Sequence, residues 1–249
     1  MAGLYIHIPF CESRCIYCGF YSTTSLKLRD DYVDALCREM QMRPSKAALG
    51  NDEPIETIYL GGGTPSQLKG SQLNQIFSAI RKNYTLTENI EITMECNPDD
   101  VTGDFCETLK QLPVNRISMG AQTFNNERLR FLHRRHNVRE VDEAITRLRN
   151  IGIRNISIDL MFGFPEESLS QWVSDIRHAI QLDVEHISAY SLMYEEGTPL
   201  YRLLEQEKIR EIEEETSRRM YETLIDLLTG AGYEHYEISN FARPGFRSR

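Results

Sequence analysis

Cys11, Cys15 and Cys18 fall within eight positions of the stretch FCESRCIYCGF, spaced C-x3-C-x2-C and interleaved with aromatic residues. Thiolates grouped this closely in a chain without an export signal read as ligands of a metal centre. Zinc is one reading, because Cys15 and Cys18 form a C-x2-C half-site to which Cys11 adds a third donor. Structural zinc takes four protein ligands, however. The sequence has no second C-x2-C, and its nearest histidine pair, His133 and His136, has the wrong spacing. An iron–sulfur cubane fits better. It is commonly held by four thiolates, so three leave one iron open to a small molecule, and the missing fourth ligand becomes the reactive position.

Other residues of chemical interest admit two readings each. Gly61-Gly62-Gly63-Thr64-Pro65 lacks the lysine of a phosphate loop. It is either a turn or bare backbone that lets a ligand approach and offers N–H groups. Glu95 is a solvated strand end or a carboxylate that meets the cationic and hydroxyl groups of a ligand. Arg134, in HRRH, reads as a solvated helix-to-loop segment. Tyr5 and Tyr17 read equally well as core aromatics, and His7 as a packed strand histidine. Cys37 and Cys106 lie on amphipathic segments as small core residues. Cys96, beside Glu95, is also read as structural. None of the six histidines stands out as a heme ligand.

The elements that must position these residues alternate in type. Strands are expected at Leu4–Ile8, Ile55–Leu60, Ile90–Glu95, Arg116–Met119, Ile156–Met161 and Ile187–Leu192. Helices are expected at Lys27–Met42, Ser71–Asn83, Gly103–Gln111, Glu127–Phe131 with Arg139–Ile151, Ser168–Gln181, and one long helix from about Gln206 to Leu228. Strands separated by helices imply βαβ units and a parallel α/β sheet, closed or partly closed as a barrel. Ligand chemistry in such folds sits at the carboxyl ends of the strands. The cysteine loop, GGGTP, ECNPDD, GAQTF (120–124) and DLMFGFP (159–165) each follow a strand and therefore share one rim.

Bulk properties restrict the function further. The 249 residues carry a net charge of −9, which argues against phosphate-backbone binding, so nucleic acid is not expected as a partner. No apolar run reaches the ~20 residues of a membrane span. MAGLYIHIPF lacks the layout of a secretion signal, so the expected compartment is the cytoplasm.

The C-x3-C-x2-C spacing, with Tyr17 before the last cysteine, resembles the radical S-adenosylmethionine (SAM) superfamily. YIHIPFC, from Tyr5 to Cys11, narrows the likeness to the branch of the HemW heme chaperone and oxygen-independent coproporphyrinogen III oxidase, from Leu4 to the last residue. The resemblance implies a partial (β/α)6 TIM-like barrel and a [4Fe-4S] cluster on Cys11, Cys15 and Cys18. The open iron of such a cluster chelates the amino and carboxylate groups of SAM, whose sulfonium is cleaved after one electron arrives from a flavodoxin- or ferredoxin-type donor. It matches Tyr5, Tyr17, Gly62, Gly63, Thr64 and Glu95 to SAM-contacting positions. Gln122, Arg134, Asp159 and Ala189 match positions that contact a second SAM, a site that substrate or porphyrin could take instead.

Two departures qualify the likeness. The oxidases carry a further cysteine at the position of Phe20, whereas CGFYS matches the chaperones. The expected function is thus heme handling with SAM and the cluster, the alternative being oxidative decarboxylation of coproporphyrinogen III to protoporphyrinogen IX. The family also continues past YEISNFARPGF with a heme-linked H-N-x-x-Y-W-type segment and a helical domain. Residues 1–249 are accordingly expected to form the barrel domain of a truncated chain, with heme bound more weakly than by a full-length parent.

Overall fold

The computed structural model describes residues 2–43 and 53–249. Six strands, β1 (Ala2–Ile8), β2 (Ile55–Gly62), β3 (Leu86–Cys96), β4 (Arg116–Gln122), β5 (Asn155–Phe162) and β6 (His186–Ser191), pair in sequence order and in parallel. Between them run α1 (Arg29–Met42), α2 (Gly70–Asn83), α3 (Gly103–Leu109), α4 (Asn126–Phe131), α5 (Val138–Asn150) and α6 (Leu169–Gln181). After β6 come α7 (Pro199–Glu205) and α8 (Glu214–Gly230). A short hairpin, β7 (Glu234–Glu237) and β8 (Asn240–Ala242), adds antiparallel to β6. The sheet order is β1-β2-β3-β4-β5-β6-β8-β7, an open mixed α/β fold whose first six strands are the expected partial barrel.

Strand alternation decides what each face does. On β5, Ile156, Ile158 and Leu160 are fully buried, and on β4 Ile117, Met119 and Ala121 are too. Together with Ile58, Leu60, Ile92, Met94, Ile187 and Ala189 they belong to the main core that the helices cover. The intervening positions are polar: Tyr59, Glu95, Arg116, Ser118, Asp159, His186 and Ser188 border a cavity. Barrel interiors are ordinarily packed with Val, Ile and Leu. Polar side chains there keep the lumen open, because each needs a partner that an apolar filling would not give.

Helix starts follow the capping chemistry of the sequence. Asn137 with Glu140 opens α5 and Ser168 with Gln171 opens α6 as reciprocal capping boxes.

The expected long helix from Gln206 to Leu228 is two helices. Residues 206–213 are not helical, and α7 closes on Glu207 at φ +53°. Lys208 N–H donates to Leu203 O at 3.0 Å and Glu207 N–H to Leu204 O at 2.9 Å, a left-handed helix stop. The start of α7 was legible in Thr198-Pro199, a cap followed by proline at the first helical position. The β7–β8 hairpin was also not expected, its strands being too short to show periodicity. β1 and β3 begin before their expected starts, at Ala2 and Leu86.

Candidate active site

The cysteine loop leaves β1 and is closed at its base. Cys11 N–H donates to Thr23 O at 3.0 Å and Thr23 N–H to Pro9 O at 2.7 Å. Its middle is anchored by Ile16, which is buried in a second, smaller core with Leu132, Met161, Phe164, Leu192 and Leu200. Ile16 N–H donates to Leu132 O, and Leu200 N–H to Ile16 O at 2.9 Å. One apolar side chain thus fastens the loop to the segments after β4, β5 and β6. Cys11, Cys15 and Cys18 are unbridged and partly accessible, and all border one cavity of about 170 Å³.

The end of β2 supplies the facing wall. Gly62 has φ +113°, a conformation that side chains rarely adopt, and an added Cβ would meet the His7 ring. An added Cβ at Gly63 would lie 2.8–2.9 Å from the backbone of Ile8, Pro9 and Phe10. Gly63 N–H donates to Ile8 O at 2.8 Å. Close packing of this turn on the start of the cysteine loop accounts for that glycine, beside any approach of a ligand. Glu95 is held at both oxygens: Tyr59 Oη donates to Oε1 at 2.7 Å and Gly62 N–H to Oε2 at 3.1 Å. Burial raises its pKa, and these two donors oppose the shift.

Arg134 ties the wall to the loop. Nη2 donates to Asn97 Oδ1 and to Gly120 O, both at 2.8 Å, and Nη1 reaches Cys15 Sγ at 3.5 Å. Its buried Nε has no partner among the described residues. Burial opposes the guanidinium charge, while its acceptors Asn97 Oδ1 and Gly120 O and the nearby Asp99 favour it. The solvated reading of this arginine was therefore incorrect. Its neighbour Arg135 does face outward, pairing with Glu12, Asp99 and Asp100.

The 170 Å³ space opens into a cavity of about 700 Å³ along the lumen. Tyr17, Cys18, Glu95, Gln122 and Asp159 border both, while Gly62, Gly63, Thr64 and Arg134 border the smaller one. Two expected residues lie elsewhere. Ala189 turns its methyl into the main core, between Ser188 and Tyr190 that do face the cavity. Tyr5 is exposed on β1, where it stacks on Tyr59 and hydrogen-bonds His7 Nδ1 at 3.0 Å. Tyr59, Asn97, Arg116, Ser118, Met161, His186, Tyr190 and Met193 border the site but escaped the sequence reading. For Tyr59, Arg116, Ser118 and His186 the signal was the polar–apolar alternation of strands expected to be parallel, which when covered on both faces are apolar throughout.

Burial sets the electrostatics. It pushes the Asp159 carboxyl up to about 7, Glu95 adding to the rise while Arg116 opposes it. Burial also raises the Cys11 and Cys18 thiols. The cavity itself thus favours neutral thiols, and a coordinated metal must deprotonate them. Three thiolates around one zinc would each lie about 2.3 Å from it. Among the described residues no group of three His, Cys, Asp or Glu is set for a single ion. A polynuclear cluster fits three sulfurs bordering one pocket, with the Arg134 cation beside Cys15 to offset its negative charge.

The sequence is 37% identical over 246 residues to the heme chaperone HemW of Lactococcus lactis and 38% identical over 252 residues to that of Bacillus subtilis. The matches cover 98% and 100% of this chain but 63% and 65% of those proteins. Coproporphyrinogen III oxidase (HemN) of Escherichia coli, a radical SAM enzyme, superposes with a TM-score of 0.86 at 27% identity, over 98% of this chain and 56% of that one. Among the described residues no helix is long and apolar enough to cross a membrane. The profile of the radical SAM superfamily matches residues 5–179, and the chain belongs to that superfamily, whose members carry a [4Fe-4S] cluster and SAM.

Proposed function

We propose that this chain is the cluster- and SAM-binding barrel domain of a heme chaperone. Its identity to heme chaperones over nearly its whole length carries the reading. Phe20 supports it, since an exposed phenyl ring stands at the cavity mouth where the oxidases of the branch have a cysteine. Cys11, Cys15 and Cys18 would hold the cluster. When bound, the cluster and SAM supply one-electron chemistry at the rim, drawing on a flavodoxin- or ferredoxin-type donor.

This chain's residues bind and orient. Gly62, Gly63 and Thr64 offer backbone and hydroxyl groups to SAM, and Glu95, fixed by Tyr59 and Gly62, accepts from its amino group. Tyr17 borders that site, and Tyr5, outside the cavity, backs it by stacking on Tyr59. Gln122, Arg134 and Asp159, with the backbone at Ala189, form a second ligand group in which heme or porphyrin is favoured over another SAM.

The test is anaerobic reconstitution followed by two assays. About four irons per chain are expected, lost on replacing any one of the three cysteines. The loaded protein should then bind heme and pass it to an apo-hemoprotein without releasing carbon dioxide from coproporphyrinogen III. Catalytic formation of protoporphyrinogen would overturn the chaperone reading in favour of the oxidase, to which the superposition on HemN gives some weight. Uptake of one zinc and no iron would overturn the cluster assignment.

A further inference from the structure

Below the rim, the lumen holds a cation that no carboxylate contacts among the described residues, Asp159 acting on it only through space. Arg116, the first residue of β4, is 3% exposed and borders the 700 Å³ cavity. Nη1 donates to Thr93 Oγ1 at 3.4 Å, a long bond, and the buried Nε has no partner among the described residues. The nearby carboxylates are engaged or displaced. Glu91 accepts from Ser248 Oγ and the Arg249 N–H. Glu95 stands one inward position nearer the rim, opposite Ser118, and is held by Tyr59 and Gly62. Asp159 is two inward positions nearer, opposite Gly120.

The groups around Arg116 are neutral hydrogen-bonding ones. His186 is buried, with Nδ1 2.8 Å from Ser157 Oγ and Nε2 2.8 Å from Tyr236 Oη. Burial and the Arg116 charge lower its pKa to about 3, so the ring stays uncharged. Among the described residues Arg116 is thus the only cation bordering the larger cavity. A buried guanidinium with no counter-ion in contact is costly. Its planar fork matches a carboxylate in two parallel hydrogen bonds.

We propose that Arg116 is the receptor for a carboxylate arm of the ligand that fills the lumen, with the Tyr236 and Ser118 hydroxyls beside it. On the heme-handling reading, from which the ligand's identity is taken, that arm is a tetrapyrrole propionate entering from the rim between Phe20, Tyr190 and Met193. The carboxylate site itself rests on the geometry of the floor.

The experiment has two arms. In the first, thermal unfolding of the full chain is followed with tens of millimolar sodium propionate against sodium chloride at equal ionic strength. Wild type should gain roughly 2–4 °C from propionate, Arg116→Gln nothing and Arg116→Lys less than wild type. An equal gain in wild type and Arg116→Gln, or none in wild type, overturns the proposal. In the second arm, wild type alone is titrated with heme and with its dimethyl ester, which needs no variant to fold. Heme should bind at least about tenfold more tightly than the ester, the worth of one charge-assisted pair. Equal binding of the two overturns the proposal while leaving tetrapyrrole binding standing. A propionate gain lost in Arg116→Gln, with no heme binding, upholds the carboxylate site and removes the tetrapyrrole reading.

Discussion

At the scale of single residues, Asp159 and Arg134 take their properties from burial. A carboxyl raised to about 7 in the folded chain, against about 4 in the unfolded one, loses its proton first on unfolding. Between those values the unfolded chain binds fewer protons, so the contribution of Asp159 to stability falls as pH rises and is lowest above 7. Asp159→Asn should therefore be more stable than wild type by about 1–3 kcal/mol at pH 8, with the gap closing towards pH 4. Chemical denaturation at both pH values checks this, and a pH-independent gap would show Asp159 ionised throughout. Arg134→Ala removes the donor to Gly120 O and Asn97 Oδ1 and the cation beside Cys15. It is expected to cost about 2–3 kcal/mol and to lower the iron retained after reconstitution, while Asn97→Ala, which leaves the other two contacts, should do less.

At the scale of elements, the cysteine loop depends on a core that is separate from the one beneath the helices. Ile16 reaches Leu132, Met161, Phe164, Leu192 and Leu200, so the end of β5 and the connections after β4, β5 and β6 hold the cysteine loop in place. Ile16→Ala should loosen residues 11–21 at a local cost of about 2–4 kcal/mol. Amide exchange in that segment should rise and iron occupancy fall, while exchange in β4 and β5 stays slow because the main core is untouched. Uniform acceleration across the sheet would show that the two cores unfold as one unit. At this scale the sequence was least legible. The break between α7 and α8 rests on Glu207 in a left-handed conformation. No glycine marks the place, and the charged run from Glu211 to Glu215 suits a helix surface equally well.

At the scale of the whole molecule, five consecutive strands and the loops beyond them contribute to one polar lumen, so ligand binding and global stability are coupled. A ligand that binds only the folded chain stabilises it by RT ln(1 + [L]/Kd), about 2.7 kcal/mol at a hundredfold excess over Kd. SAM should therefore raise the unfolding temperature of the cluster-loaded protein by several degrees. In Glu95→Ala, where Tyr59 Oη and Gly62 N–H lose their acceptor and SAM a partner, the gain should shrink. An identical gain in the variant would remove Glu95 from the SAM site. The net charge of −9 is spread over exposed helix faces, with pairs such as Arg218 with Glu215 and Glu222, and contributes little to this coupling.

The sequence by itself determined the three-cysteine spacing, the six strand–helix units and the rim on which the motifs would meet. Each of these is local: a loop follows a strand, and side-chain direction follows a two- or 3.6-residue period. Only tertiary structure decided which polar residues turn inward together. Arg116, His186 and Tyr236 come from β4, β6 and β7, far apart in the chain, and they meet because the sheet curves around a common lumen. It also decided the role of Arg134, which reads as a solvated side chain in HRRH until Gly120, Asn97 and Cys15 close around it. Burial is a property of the assembled fold, and at this site burial converts ordinary polar residues into a charged, ligand-sized cavity.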